Sequence, residues 1–286
     1  VQNIEFIHQH HFENNYRRLY TTGELSLFID FFWETDFDLL WKQHPQGFSD
    51  VLFPNLGYTF LINLGTPLVM QVNEINTPIR NDGFLPRLNH IECFHQPGNL
   101  LFGIKFKVSP VLFEKRINFS EYKAQVFSLS YLMDPQLLQQ VRSAFDFEQR
   151  VQLLQEYYLK QLNTHKTSLH KAHIVTSVLE QAATNNDFLT LAQERAAAHG
   201  VSAKTLQRYF KECTGVSYKH ALQVMRIRSA ISRILQNPRD FHAAAWGYYD
   251  HSHFYKHLRR FLSRQNLIDL QPHLHLLKNL HKKEDR

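Results

Sequence analysis

The chain has 286 residues, 43% of them hydrophobic, which excludes a disordered or fibrous protein and leaves room for two globular domains. Its charge is divided: residues 1–169 carry 14 basic and 17 acidic side chains, net −3, whereas residues 170–286 carry 18 and 9, net +9. A polyanion contact therefore belongs to the C-terminal half.

The two cysteines, Cys93 and Cys213, lie in different halves. They exclude a disulfide framework and a cysteine-based zinc site, and fit a reducing cytoplasm. The N-terminus, "VQNIEFIHQHHFENNYRR", lacks the apolar core of a signal peptide. The longest uncharged stretch, Val51–Asn73, is broken by Pro54, Gly57, Asn63, Gly65 and Pro67, so no membrane partner is expected.

Residues 25–108 have β character. "LSLFIDFFWETDF", "GYTFLINLG", "PLVMQVNEI" and "NLLFGIKFKV" are short, aromatic or β-branched, and bounded by Gly, Pro and Asn. Helical signals follow. Ser109-Pro110 and Asp134-Pro135 each pair an N-cap with proline at the first helical position. From Phe147 onward Val151, Leu154, Tyr158 and Leu162 fall on one helical face, which either packs on its own domain or forms a dimer seam. "NTHKTSLH", 163–170, is polar and aperiodic, and predicts a boundary. The expected fold class is α+β. A β-rich N-terminal domain with accessory helices (1–165) precedes an all-α domain (166–286), with helices over 171–183, 188–199, 202–213, 217–236, 240–246 and 250–262.

Two stretches of the second half nearly repeat: "AAAHGVSAKTLQRYF" from Ala196 and "AAAWGYYDHSHFYKHL" from Ala243. In each, an alanine helix stops at a glycine, Gly200 or Gly247, which adopts the left-handed conformation at little steric cost. A capping residue follows, Ser202 or Asp250, and opens a second helix. Helix, glycine turn, helix is the unit that places its second helix in the DNA major groove.

Residues 188–262 resemble the DNA-binding domain of the AraC/XylS family of bacterial transcription regulators. Ser202, Leu206-Gln207-Arg208, Phe210-Lys211 and Thr214-Gly215 match its first unit. Arg226 and Ala230 match its linker, and Gly247-Tyr248, Asp250, Ser252 and Phe254 its second unit. The chain departs from the pattern at His199 and His242, where aliphatic residues are usual, and at Ser263 and Asn266, where Gly and Pro are common. The N-terminal half more loosely resembles the β-rich domain that precedes this unit in many members.

The resemblance implies two helix-turn-helix units joined by a long linker helix, Ser217–Gln236, and a sequence-specific, non-enzymatic, cytoplasmic regulator of transcription. Double-stranded DNA is the implied partner, and no cofactor is. A small-molecule effector, a homodimer and, for an activator, RNA polymerase are compatible with it; a sensing or dimerising role falls to the N-terminal domain. By the same carry-over the first reading helix presents Lys204, Gln207 and Arg208, which share one face at i, i+3 and i+4. The second presents His251, Ser252, His253 and Lys256. Arginine suits guanine and glutamine suits adenine. Lys211, Lys219, Arg228, Arg233 and Arg239 are phosphate-contact candidates. His251 and His253 point about 200° apart on a helix and cannot share a metal ion.

The alternative is a metal-dependent enzyme on a cupin-like N-terminal domain, with the helical half accessory to it. Its one motif is "NHIECFH", where a strand would place His90 and Glu92 on one face and His95 opposite. No phosphate loop or nucleophile elbow accompanies it. Trp33, Trp41, Phe53 and Tyr58 either line an effector pocket or build the core.

Overall fold

The computed structural model describes residues 16–52, 54–72, 74–88, 90–110 and 126–261. Nine strands precede the long helices: β1 (Tyr16–Tyr20), β2 (Ile29–Asp36), β3 (Ser49–Leu52), β4 (Tyr58–Asn63), β5 (Leu68–Val72), β6 (Ile75–Ile79), β7 (Asp82–Pro86), β8 (Ile91–Phe94) and β9 (Leu100–Phe106). A short helix, α1 (Asp38–Gln43), follows β2. The strands form two antiparallel sheets, ordered β1-β2-β9-β4-β7 and β3-β8-β5-β6.

Successive strand side chains point to opposite faces, and here both faces of the larger sheet are covered. Phe31, Trp33, Leu61 and Leu101 meet Leu68, Met70 and Val72 of the smaller sheet. Their neighbours Phe32, Phe60, Ile62, Phe102, Ile104 and Phe106 turn toward the helices. This explains why "GYTFLINLG" is almost wholly apolar: every residue of β4 is buried. Tyr58 joins this helix-facing core and Trp33 the core between the sheets; Phe53 lies outside the described residues.

Seven further helices follow: α2 (Pro135–Ser143), α3 (Phe147–Thr164), α4 (Lys166–Thr184), α5 (Ala192–Ala198), α6 (Ala203–Thr214), α7 (Tyr218–Gln236) and α8 (His251–Phe261). Asp134 caps α2 by accepting the Gln136 amide at 2.8 Å, and Asp146 caps α3 by accepting that of Gln149 at 2.8 Å. The apolar face of α3 packs on its own sheet, with Tyr158 edge-on to Phe28 and Phe106 at 5.8 and 5.6 Å and Phe147 edge-on to Phe102 at 5.9 Å. Of the two readings of that face, the intramolecular one is the one observed. The helix signalled by Ser109-Pro110 and the extra helix over "LIDLQPHLHLLKNL" fall outside the described residues.

The polar run 163–170 is helical on both sides of a single turn residue, His165, and α4 starts at Lys166, five residues before the expected helix. What the polarity conceals is the apolar face further along. Val175, Val178 and Ala182 of α4 join one cluster that runs from Phe32 and Phe106 of the sheet through Leu154 to Leu206, Phe210 and Leu222. Polar ties reinforce the seam. Thr176 donates to the Leu27 carbonyl at 2.6 Å, the Ser109 amide to the Cys213 carbonyl at 2.6 Å, and Lys107 pairs with Glu180 at 2.8 Å. A separate cluster holds Ile227, Ile231 and Ile234 against Phe241, Phe254 and Leu258.

The separation of the α7–α8 cluster from the one that joins α6 to the sheet puts these helices in different cooperative units. In native-state hydrogen exchange the amides of α6 should protect with those of β4 and β9, and those of α8 should open at lower free energy. Matching protection of α6 and α8, distinct from the sheet, would contradict this division.

Candidate nucleic-acid interface

The repeated bend is repeated in its hydrogen bonds. In the first copy the Val201 amide donates to the Ala196 carbonyl at 3.0 Å and the Gly200 amide to Ala197 at 3.1 Å; in the second, Tyr248 donates to Ala243 at 3.1 Å and Gly247 to Ala244 at 2.9 Å. Both glycines are left-handed, at φ +66° and +71°, as a helix stop of this kind requires. The copies differ in the leading helix. It is α-helical in the first (α5) and a short 3-10 turn, Ala243–Trp246, in the second.

The caps act as the sequence implies. Ser202 Oγ accepts the Thr205 amide at 3.1 Å, Asp250 Oδ1 that of His253 at 2.6 Å, and Ser217 Oγ that of His220 at 3.3 Å at the start of α7. Each cap satisfies an amide that the first turn leaves unpaired. Gly200, Gly215 and Gly247 thus stop three segments, and Ser202, Ser217 and Asp250 start the next.

Leu206 and Phe210 turn inward on α6 and are fully buried, which leaves Lys204, Gln207, Arg208 and Lys211 exposed on the opposite face. Arg208 lies 3.8 Å from Glu212, which also accepts Lys171 of α4 at 2.7 Å. On α8, Phe254, His257 and Leu258 are buried, and Ser252, His253 and Lys256 are exposed. His251 is half-buried beside Phe241 at 6.0 Å, whereas His253 sits edge-on to Tyr248 at 5.6 Å. Arg259, Arg260 and Tyr249, exposed on and just before α8, escaped the sequence reading because no motif position marks them.

The linker helix α7 carries two arginines with opposite duties. Arg226 lies over the Tyr248 ring at 4.3 Å and donates to the Gly247 carbonyl at 3.4 Å, so it grips the second bend. Arg228, two residues on, turns the other way and donates to the Pro54 carbonyl at 2.8 Å. At 1% exposure it cannot touch a phosphate, which corrects the expectation for that residue. Arg233 pairs with Asp240 at 3.0 Å, while Lys211, Lys219 and Arg239 are exposed.

Between the sheet and helices α4 and α7 lies a cavity of about 220 Å³, lined by Leu56, Lys105, Phe106, Thr176, Leu179 and Met225 among others. The Lys105 amine is buried there and donates to the Leu56 and Phe106 carbonyls at 2.7 and 3.3 Å. Among the described residues no ion pair includes it. Burial, and then the nearby Arg87 and Arg228 cations against the pull of Asp30, hold this amine well below the ordinary lysine range.

Among the described residues the "NHIECFH" motif assembles no metal centre. Glu92 accepts from Ser49 at 2.6 Å, and His95 stacks on Phe37 at 3.6 Å and bonds Asn99 at 2.7 Å. No three His, Cys, Asp or Glu side chains converge on one point among the described residues. Among the same residues no helix is long and apolar enough to cross a membrane.

Two capped helices at the ends of one linker helix, in the basic half of the chain, define a DNA-binding domain. Residues 195–264 match the family model described as a helix-turn-helix domain. They form an AraC-type helix-turn-helix domain, the DNA-binding part of the chain. No curated protein matches the chain in sequence. Among solved structures it is similar to ToxT from Vibrio cholerae with a bound unsaturated fatty acid (9% identity, 76% of this chain and 88% of that one, TM-score 0.40). It is similar also to a second crystal form of ToxT (8%, 87% and 95%, 0.42). The AraC-like transcriptional activator CuxR follows (8%, 81% and 95%, 0.29).

The His257 ring predicts a pH dependence of the second unit. It is buried, bonds Tyr248 Oη through Nδ1 at 2.7 Å, and is held down at about 4, first by burial and then by the Arg226 cation. An unfolded histidine titrates near 6.5, so the unfolded chain takes up the proton first as pH falls. Stability present above pH 6.5 is therefore lost on the way down to pH 4, by roughly 1–3 kcal/mol. Protection of the α8 amides should fall over that window in the wild type and stay flatter in His257→Gln. Parallel profiles would refute the assignment.

Proposed function

We propose that the protein reads two neighbouring major-groove segments of one DNA site. Lys204, Gln207 and Arg208 serve the first, and His251, Ser252, His253 and Lys256 the second. The observation that carries this reading is the placement of two capped, outward-facing helices at the ends of α7. Its 19 residues rise about 28 Å, close to one turn of B-DNA. The N-terminal segment, 1–165, then senses and the C-terminal segment, 166–286, binds. The protein works as a regulator rather than an enzyme, in the bacterial cytoplasm.

Footprinting of the full chain on selected genomic sites should show two protected segments centred about 10 base pairs apart. Inserting about five base pairs between them should remove most specific affinity. Arg208→Ala should cost roughly 1–3 kcal/mol and relax preference at one base pair. Lys219→Ala should lower the salt slope by about 1, and Arg228→Ala should leave it unchanged. A single protected segment, or tight binding after the insertion, would overturn the reading.

The effector in this reading is a small organic acid with an apolar body. The cavity at the seam supports it: a carboxylate would meet the Lys105 amine, and a hydrocarbon portion would meet Leu56, Phe106, Leu179 and Met225. An anion there also relieves the mutual repulsion of Lys105, Arg87 and Arg228. A thermal-shift series of aliphatic and aromatic monocarboxylic acids should stabilise the wild type and fail on Lys105→Met. No response to the series, or an equal response in both proteins, would overturn the effector assignment.

A further inference from the structure

The loop between α4 and α5 carries none of the proposed reading residues, yet it is tied by several hydrogen bonds and an ion pair. Asn186 is left-handed at φ +51°, and the Asp187 amide closes back on the Ala182 carbonyl at 3.0 Å, ending α4. Asp187 then accepts Thr190 and, at 2.6 Å, Arg195 of α5. The Tyr218 hydroxyl at the start of α7 donates to the Thr190 carbonyl at 2.7 Å. Helices α4, α5 and α7 therefore converge on four residues, 187–190.

What the loop presents is apolar and meets the second unit. Phe188 stacks with Trp246 at 6.3 Å and 16° between planes. Leu189 lies against Gly247 so closely that a methyl group on that glycine would stand 2.5 Å from Leu189 Cδ1. The same test at Gly200 finds nothing within 4 Å. The glycines of the two bends thus share a backbone conformation but not their surroundings. Gly247 is also a contact surface. Leu189 is nevertheless 61% exposed, so its value to the fold is not burial in a core.

We infer that the Asp187–Thr190 loop is a strut between the two reading units, and that Leu189 and Gly247 position the second reading helix relative to the first. Among the described residues the second unit is otherwise tied mainly to α7, by the apolar cluster of Ile227, Ile231 and Ile234 and the Arg226 grip on Gly247 and Tyr248, and Phe261 of α8 packs against the large cluster. A body held along one helix can still rock about that helix. A contact off its axis removes that freedom. The strut supplies it from the first unit, at the bend that immediately precedes α8. Leu189 is a positioning residue, acting on DNA only through the placement of α8, and its effect on DNA rests on the two-segment reading.

Two measurements test this on the full chain. Spin labels at Gln207→Cys and Ser252→Cys report the distance between the reading helices, and the native Cys93 and Cys213 are buried and spared. The distribution should be narrow with Leu189 or Leu189→Met and broaden in Leu189→Ala; an unchanged distribution in Leu189→Ala overturns the strut. On DNA, Leu189→Ala should lose about tenfold in affinity for the full site but less than about twofold for the first half-site alone. Equal loss on both DNAs overturns the positioning role. A wild type that protects one segment only defeats the two-segment reading, and the label distances then decide the strut by themselves.

Discussion

Helix α7 is the member on which the C-terminal half depends, because it belongs both to the large cluster shared with the sheet and to the separate cluster of the second unit. Its first half joins the large apolar cluster through Ala221, Leu222, Val224 and Met225; its second half carries the separate cluster through Ile227, Ile231 and Ile234. Between them Arg226 and Arg228 face opposite ways, one to the second bend and one to the Pro54 carbonyl of the sheet domain. Positions two apart on a helix diverge by about 200°, so this pair can be satisfied only by partners on opposite sides. A helix fixed in this way cannot shift or rotate without disturbing a contact at each side.

The two reading units are consequently unequal. The first shares its core with the sheet, α3 and α4, and is as rigid as that core. The second has a small core of its own, a tie to α7 through Arg226 over Tyr248, and an internal buried bond from Tyr248 to His257. Buried polar contacts of this kind specify geometry more than they add stability, since each group must be desolvated to form them. Stability resides in the first unit, and adjustability in the second.

Much of this was legible in the sequence, for a local reason. Caps and helix stops act within five residues, so Ser202, Ser217 and Asp250, with Gly200 and Gly247, announce themselves by spacing alone. The apolar strands 58–63 and 100–106 and the inward face of α3 were equally readable from periodicity. What escaped reading is long-range. Arg228 looks like any surface cation until its partner appears, a backbone carbonyl 174 residues earlier that no side-chain pattern can signal. The start of α4 hid behind a polar stretch whose helix is recruited by tertiary packing rather than by its own amphipathicity. Leu189, an apolar residue in a loop, gave no sign that a glycine 58 positions later was its counterpart.

The position of the cavity follows from the same arrangement. Lys105 should be the polar end of an otherwise apolar strand face, and its amine finds only carbonyls where a charged group would need a counter-ion. Its walls come from the sheet through Leu56 and Phe106, from α4 through Thr176 and Leu179, and from α7 through Met225. Met225 directly precedes Arg226, so anything that fills the cavity presses on α7 one residue from the grip on the second bend. The first unit shares the surrounding core and would resist that pressure. The second is held to α7 by Arg226 and by a small cluster of its own, so it follows α7. In the proposed reading an acid that fills the cavity acts on α7, and through α7 on the angle between the reading helices.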